Sequence, residues 1–286
     1  MELRQLRYFV KSAELLNFTE AAAQCCITQS TLSQQIKQLE DEFGVQLFER
    51  VGKRVFLTHE GEEFLIYARK TVADADYSKQ IIEDMKEVKK GTIKIGTTYG
   101  LSAFVTDLID RYNQKYPQIH FELLFLRQDE LIDSVKTRDV DFAITFNLMA
   151  KDESLKEILL ATYHLSAIVS KENPLAKLEH VTLGQLRKYN IATPMAGMNA
   201  RRMFDKMVAE SGIELQATLE INEIHTLLHL VRTGRWVAVL VDSIIIGEDN
   251  LKAIPFRQST LPMDVVLLYP KGMYMRKAIK EFFSLL

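Results

Sequence analysis

Apolar residues fall at Leu3, Leu6, Phe9, Val10 and Ala13, a period near 3.6 that predicts a first helix. A second helix is expected from Thr19, a hydroxyl suited to capping, through Ala21, Ala22 and Ala23. Those small side chains let a neighbouring helix approach closely. Cys26 and Ile27 mark a short turn, and Thr28 can cap a third helix. That helix buries Leu32, Ile36, Leu39 and Phe43 and stops at Gly44. Its other side carries Ser30, Thr31, Ser33, Gln34 and Lys37. Such short polar residues are mediocre helix formers because they compete for backbone hydrogen bonds. Clustered at a helix start, they suit a helix that must approach a polar surface. Two helices, a tight turn and a polar outer face predict a helix-turn-helix. From Val51 to Leu57, β-branched and aromatic residues surround Gly52-Lys53-Arg54, which predicts a small hairpin with a basic tip, the wing of a winged helix.

Beyond the wing, a long helix is expected over Glu60 to Lys90. Leu65, Ala68, Val72, Ala75 and Ile82 alternate at three and four, and Ile81, Met85 and Val88 continue a nearby stripe. An amphipathic helix of that length suggests coiled-coil-like dimerisation; a connector packed on its own protein is the alternative. From Gly91 the pattern changes to strand, helix, strand. "TIKIG", "IHFELLFL" and "VDFAITF" read as strands, with helices over Ala103 to Tyr116 and Asp129 to Thr137. This βαβ series predicts a parallel sheet. A second set follows from about His164: "LSAIVS", "NIATP", "TLEI" and "WVAVLV". "DVVLLYP" and a helix over Met273 to Leu286 come last. Two α/β lobes imply a cleft at the C-terminal strand ends.

Composition changes this picture little. With 286 residues, 47% of them hydrophobic and 26% charged, the chain suits two or three globular units. Net charge is −2, and the first 58 residues set seven Lys and Arg against seven Asp and Glu. Any nucleic-acid contact must therefore rest on where charges sit. The opening "MELRQLRYFV" is unlike a secretory leader, and the longest apolar runs are too short for a bilayer. A cytoplasmic protein with no membrane association is the expectation. Cys25 and Cys26 are adjacent and give no disulfide framework. Core filling and a turn position are their plainer roles; a thiol switch would need an exposed electropositive site. His225 and His229 lie four apart without a third ligand in register, so no metal is expected.

The N-terminal segment strongly resembles the LysR-type transcriptional regulators. The resemblance lies in "LRQLRYF", in "FTEAAAQCCITQSTLSQQIKQLEDEFGVQLFER" and in "LTHEG". Weaker echoes, "KIGTT", "YPQIHFELL", "DVDFAI", "NPLA" and "LVRTG", follow in the family's order over nearly the whole length. The resemblance implies a winged helix-turn-helix, a linker helix that dimerises, and a two-lobed effector domain like the periplasmic binding proteins. It also implies a homotetramer, with RNA polymerase as a candidate partner. Departures include Thr28-Gln29-Ser30 where the family often has Ser-Gln-Pro, Gln34 where Arg is frequent, and Cys25 where a core Leu is usual. "TGRWVAVLVD" replaces the family's late "GxG" motif, and Arg235 and Trp236 would narrow that side of the cleft.

Together these readings place a winged helix-turn-helix DNA-binding domain at 1–58 and a linker and dimerisation helix at 59–90. Effector lobe I takes 91–161 and 266–286, and lobe II takes 162–265. Double-stranded DNA would be met by Gln29, Ser30, Thr31, Ser33, Gln34 and Lys37 in the major groove, and by Arg50, Lys53 and Arg54 from the wing. The effector cleft is expected at Thr97, Thr98, Tyr99, Gly100 and Ser102, with Arg127 and Gln128 after the second strand. Asn199, Arg201 and Arg202 follow the strand ending at Pro194, where family members commonly place ligand contacts. Three arginines near one cleft favour an anionic effector, unless Arg201 and Arg202 are solvated helix residues. No nucleophile–base pair, phosphate loop or metal set is visible, so neither an enzyme nor a cofactor is expected. The reading is a sequence-specific transcriptional regulator controlled by a small molecule. A DNA-organising protein without an effector is the alternative.

Overall fold

The structure, a computed structural model, describes residues 1–51, 54–84, 91–147, 152–257 and 262–286. Two compact bodies result, one built on residues 1–87 with 136–139 and the other on 88–135 with 140–286.

In the first body α1 (Leu3–Leu15), α2 (Phe18–Gln24) and α3 (Gln29–Phe43) surround a core of Leu6, Phe9, Ala21, Leu32, Ile36 and Leu39. The cap of α2 is Asn17 and not Thr19. Its Oδ1 accepts the Thr19 and Glu20 N–H groups at 3.1 and 3.2 Å, and Phe18 enters the core edge-on to Phe48. Asn is among the strongest capping residues, so the helix starts as early as it can. Thr28 caps α3 as expected, accepting from Thr31 N at 3.2 Å, and Gly44 ends it at φ +70°. Phe43 departs from expectation: it is partly exposed and lies edge-on to Phe64. β1 (Phe48–Val51) and β2 (Arg54–Leu57) pair antiparallel as the wing. Glu40, buried under the wing, accepts the N–H groups of Leu47 and Phe48 at 2.8 and 3.1 Å. It thereby ties the hairpin to α3.

α4 (His59–Asp84) closes this body. Thr58 caps it, accepting Gly61 N at 3.0 Å while its own hydroxyl donates to Gln46 O at 2.7 Å. Arg7 of α1 makes a two-pronged bond to Asp76. Leu65, Ala68 and Val72 pack into the winged body's own core. The first half of the expected dimer stripe is thus consumed within one protomer. Ile66, Tyr67 and Ile82 remain open, at 54%, 67% and 56% exposure. Met85 and Val88 lie outside the described residues.

The second body is a mixed sheet with helices on its faces. β3 (Gly91–Thr97) runs parallel to β4 (Ile119–Phe125) and β5 (Phe142–Phe146), joined through α5 (Ser102–Lys115) and α6 (Gln128–Lys136). β6 (Leu155–Ser170) is a 16-residue strand, of which the expected "LSAIVS" is only the last six residues. α7 (Leu183–Leu186), β7 (Asn190–Pro194), α8 (Asn199–Ser211), β8 (Leu219–Ile221), α9 (Ile224–Arg232), β9 (Trp236–Val241) and β10 (Leu251–Pro255) build the second lobe. β7 runs parallel to β8 and β9. β11 (Pro262–Pro270) returns to the first lobe, followed by α10 (Lys277–Phe283). The strand order is β4-β3-β5-β11-β6-β9-β7-β8, with β10 also on β6. The parallel pairing expected of the first βαβ series holds for β3, β4 and β5, while the sheet as a whole is mixed. β11 is antiparallel to β5 and β6, and β6 to β9. A helix crossover returns a strand in the same direction, whereas β6 and β11 pass between lobes without one.

A buried ion pair pins the first lobe. Arg276 donates to Asp141 Oδ2 at 2.7 Å and to Thr92 O at 3.0 Å, and Lys94 N donates to the same carboxylate at 2.8 Å. Burial pushes the Asp141 carboxyl up, against the opposing pull of Arg276.

Candidate nucleic-acid interface and effector cavity

On α3 the Thr28 hydroxyl lies 3.0 Å from Ser30 Oγ and 2.8 Å from Thr31 Oγ1, which stiffens the first turn. Gln29 Nε2 donates to Ser33 Oγ at 2.8 Å. Gln29, Ser30, Thr31, Gln34 and Lys37 are exposed on one side of the helix, and Ser33 is half-buried behind Gln29. Arg54 is exposed at the start of β2. Lys53 lies outside the described residues, as does the side chain of Arg50. Cys25 is half-buried and Cys26 exposed, both as free thiols. Burial pushes the Cys25 thiol up, away from reactivity. Cys26 holds φ +56°, closing the turn between α2 and α3.

Between the two lobes of the second body lies a cavity of about 400 Å³. Of the expected residues Thr98, Tyr99, Gly100, Arg127, Gln128 and Asn199 line it. Thr97 does not: it is fully buried, and its hydroxyl donates to Ile144 O at 2.8 Å. Ser102, Arg201 and Arg202 also stand off the wall. Pattern reading missed the apolar lining. Tyr99 stacks on Phe125 at 5.2 Å, and Phe146, Met195, Met198, Ile224 and Leu240 complete the walls. Asn222, at the C-terminal end of β8, was legible from the strand-end rule. The methionines on the loop after β7 carried no comparable signal.

The three arginines differ in what they already hold. Arg127 pairs with Asp129 at 3.2 Å and Glu130 at 3.5 Å. Arg201 pairs with Asp205 at 2.7 Å and Glu220 at 2.8 Å, and also donates to Thr193 Oγ1 and Pro194 O. Its guanidinium braces β7 and β8 and is spoken for. Arg202 makes no ion pair among the described residues. It donates to Gln128 Oε1 of the first lobe at 2.9 Å and to Asn199 Oδ1 beside it. Gln128 is held in turn, donating to Phe146 O and Asn147 O at 2.8 and 3.1 Å. A second link between lobes runs from Ser243 Oγ to Gly100 O at 2.9 Å. α8 begins at the cavity without a side-chain cap, as does α5 two residues beyond the lining Gly100, whereas Glu223 caps α9 with its carboxylate. Hydrogen bonding from the Thr226 side chain, and from the N–H groups of Thr226 and His225, holds the Glu223 carboxyl below its usual range.

Among the described residues no group of three or more His, Cys, Asp or Glu could hold a metal, and no helix is long and apolar enough to cross a membrane.

Comparison with known proteins gives this geometry its context. The family description "LysR substrate binding domain" matches residues 86–286, and "Bacterial regulatory helix-turn-helix protein, lysR family" matches residues 3–62. The transcriptional dual regulator GltC of Bacillus subtilis is 30% identical over 288 residues, covering 99% of this chain and 96% of that protein. Full-length OxyR from Pseudomonas aeruginosa shares the fold at a TM-score of 0.73 and 24% identity, covering 99% of this chain and 94% of that one. Full-length CbnR, solved in complex with its target DNA, does so at 0.72 and 19% identity, covering 99% and 98%. A reading helix, a wing and a walled cavity between two α/β lobes thus occur together in one chain, and the chain belongs to the LysR family of DNA-binding transcriptional regulators.

Proposed function

We propose that this regulator reads operator DNA with the exposed side of α3, grips phosphates with the wing, and is switched by a small anionic molecule in the cavity. The observation that carries the DNA assignment is the Gln29–Ser33 bond, which holds one amide in a fixed pose on an exposed helix start. A Gln amide so presented suits the paired donor and acceptor edge of adenine. Arg54, with Arg50 and Lys53, contributes charge without sequence information. The mostly apolar walls, set with a small number of polar side chains such as Thr98, Gln128, Asn199 and Asn222, support the effector assignment. Pairing of two chains would use the open residues of α4, Ile66, Tyr67 and Ile82, and further pairing would give a tetramer. Effector binding shifts the population of lobe arrangements, which changes the spacing of paired winged bodies, the bend in DNA and contact with RNA polymerase.

Gel shifts on operator and scrambled duplex test the DNA assignment. Gln29→Ala should narrow the gap between the two by about 1–3 kcal/mol. Arg54→Ala should weaken both about equally and flatten the salt dependence. An unchanged gap in Gln29→Ala removes Gln29 as a base reader.

A further inference from the structure

We propose that the cavity selects an effector with a single negative charge and an apolar body, and that Arg202 is the residue that reads the charge. The inference rests on the reading of this cavity as the effector site. Its starting point is a charge count over the three arginines and the carboxylates they meet, of which Arg127 and Glu130 line the cavity. Arg127, Arg201 and Arg202 stand against Asp129, Glu130, Asp205 and Glu220, three positive groups against four negative. Two of the arginines are already neutralised by two carboxylates each. A dianion or a phosphate would enter a surrounding with no spare positive charge for its second negative one.

Arg202 differs because its partners are neutral amide oxygens, from Gln128 in one lobe and Asn199 in the other. A guanidinium–carboxylate contact is charge-assisted and stronger than one to an amide, so a carboxylate can displace an amide from it. Gln128 and Asn199 both line the cavity, which places that exchange at its rim. The uncapped start of α8 lies beside Asn199 and adds N–H groups for the same carboxylate. The rest of the lining is mostly apolar, with Tyr99 on Phe125, Phe146, Ile224 and Leu240. Its polar side chains beyond Arg127, Glu130, Gln128 and Asn199 are the Tyr99 phenol, the Asn222 amide and the Thr98 hydroxyl, which is buried without a partner among the described residues. Charge reading and lobe coupling then become one event. When Arg202 turns from Gln128 to the ligand, the direct side-chain link from α8 to the first lobe is replaced by one running through the ligand.

Calorimetry and thermal melting of the full chain test this with defined probes. Benzoate and isovalerate are the monoanions, benzamide and isovaleramide their neutral counterparts, and phthalate, succinate and inorganic phosphate the more highly charged set. The two monoanions should bind about tenfold to a hundredfold more tightly than their amides. The more highly charged probes should bind no better than the amides. Arg202→Gln should bring the monoanions down to the level of the amides, and Arg202→Lys should restore part of the difference. Ala200→Trp, which fills the cavity, should abolish all binding; Ala196→Trp serves if the first variant fails to fold. Dianions binding as well as monoanions, wild-type benzoate affinity in Arg202→Gln, or no binding by either monoanion would each overturn the proposal. If binding is lost in the filled variant but unaffected by Arg202→Gln, the cavity stands as the site and only the charge reading falls. Binding that survives both filled variants overturns the cavity itself.

Discussion

Gly61 shows how one position can decide whether the winged body closes. It sits in the first turn of α4, where a Cβ would lie 2.1 Å from the Leu47 carbonyl oxygen. That oxygen is backbone, so it cannot swing aside as a side-chain tip would. The close approach lets α4 seat against the segment that Glu40 and Thr58 also hold. Gly61→Ala should destabilise the first body by about 1–3 kcal/mol, the usual range for overpacking. Helix propensity works in the other direction, since Ala is favoured over Gly in a helix by about 1 kcal/mol. Urea melts therefore discriminate: net destabilisation means that the contact dominates, and net stabilisation means that the helix has shifted to make room. The motif "LTHEG" drew attention to this glycine, but the need for it became visible only once Leu47 was placed.

At the scale of elements, α9 offers a test of how a helix start contributes to stability. Glu223 caps it, accepting from His225 N at 2.8 Å and Thr226 N at 2.6 Å. Its carboxyl is held below the usual value of 4.5, so the folded state favours the ionised form. The contribution is present above that value and is lost as pH falls through the lower folded value. Glu223→Ala should cost about 1 kcal/mol near neutrality. The difference from wild type in chemical melts should shrink as the solution is acidified below the carboxylate range; a constant difference would assign the effect to packing. Legibility from sequence also varies by element. α3 was readable end to end because Thr28, the apolar stripe and Gly44 are all local signals. β7 and β9 matched their expected bounds, β9 as a short continuous apolar run and β7 as a short segment ended by Pro194. β6 was half missed: "LKEILLATYH" alternates poorly, and it pairs with β11, about a hundred residues away. The apolar cavity wall was missed for the same reason. Phe125, Met195 and Leu240 look like ordinary core until three separate strand ends are brought together. The arginines were legible as positions, but their carboxylate partners depended on helix packing.

For the whole molecule, the near-neutral charge of the winged body sets a requirement on DNA binding. Seven cationic and seven anionic residues in its first 58 leave no broad attractive field. One such body should hold an operator half-site weakly, and useful affinity must come from two bodies linked together. A linked second contact commonly raises affinity by about 10²–10⁴ without any new contact type. The open apolar residues of α4 are the proposed link, and they separate cleanly from the folded stripe. Val72 lies in the winged core, so Val72→Asp should unfold that body and report nothing about pairing. Ile82 is exposed in the single chain, so Ile82→Asp leaves folding intact while placing a charge where the partner would sit. Light scattering should show the loss of mass, with circular dichroism unchanged. Anisotropy on whole and half operators should then show wild type losing about two or more orders of magnitude on deletion of one half-site, and Ile82→Asp losing little. An Ile82→Asp protein that keeps its mass and its preference for the whole operator would move the pairing surface off this end of α4, leaving Ile66 and Tyr67 as the residues to change next.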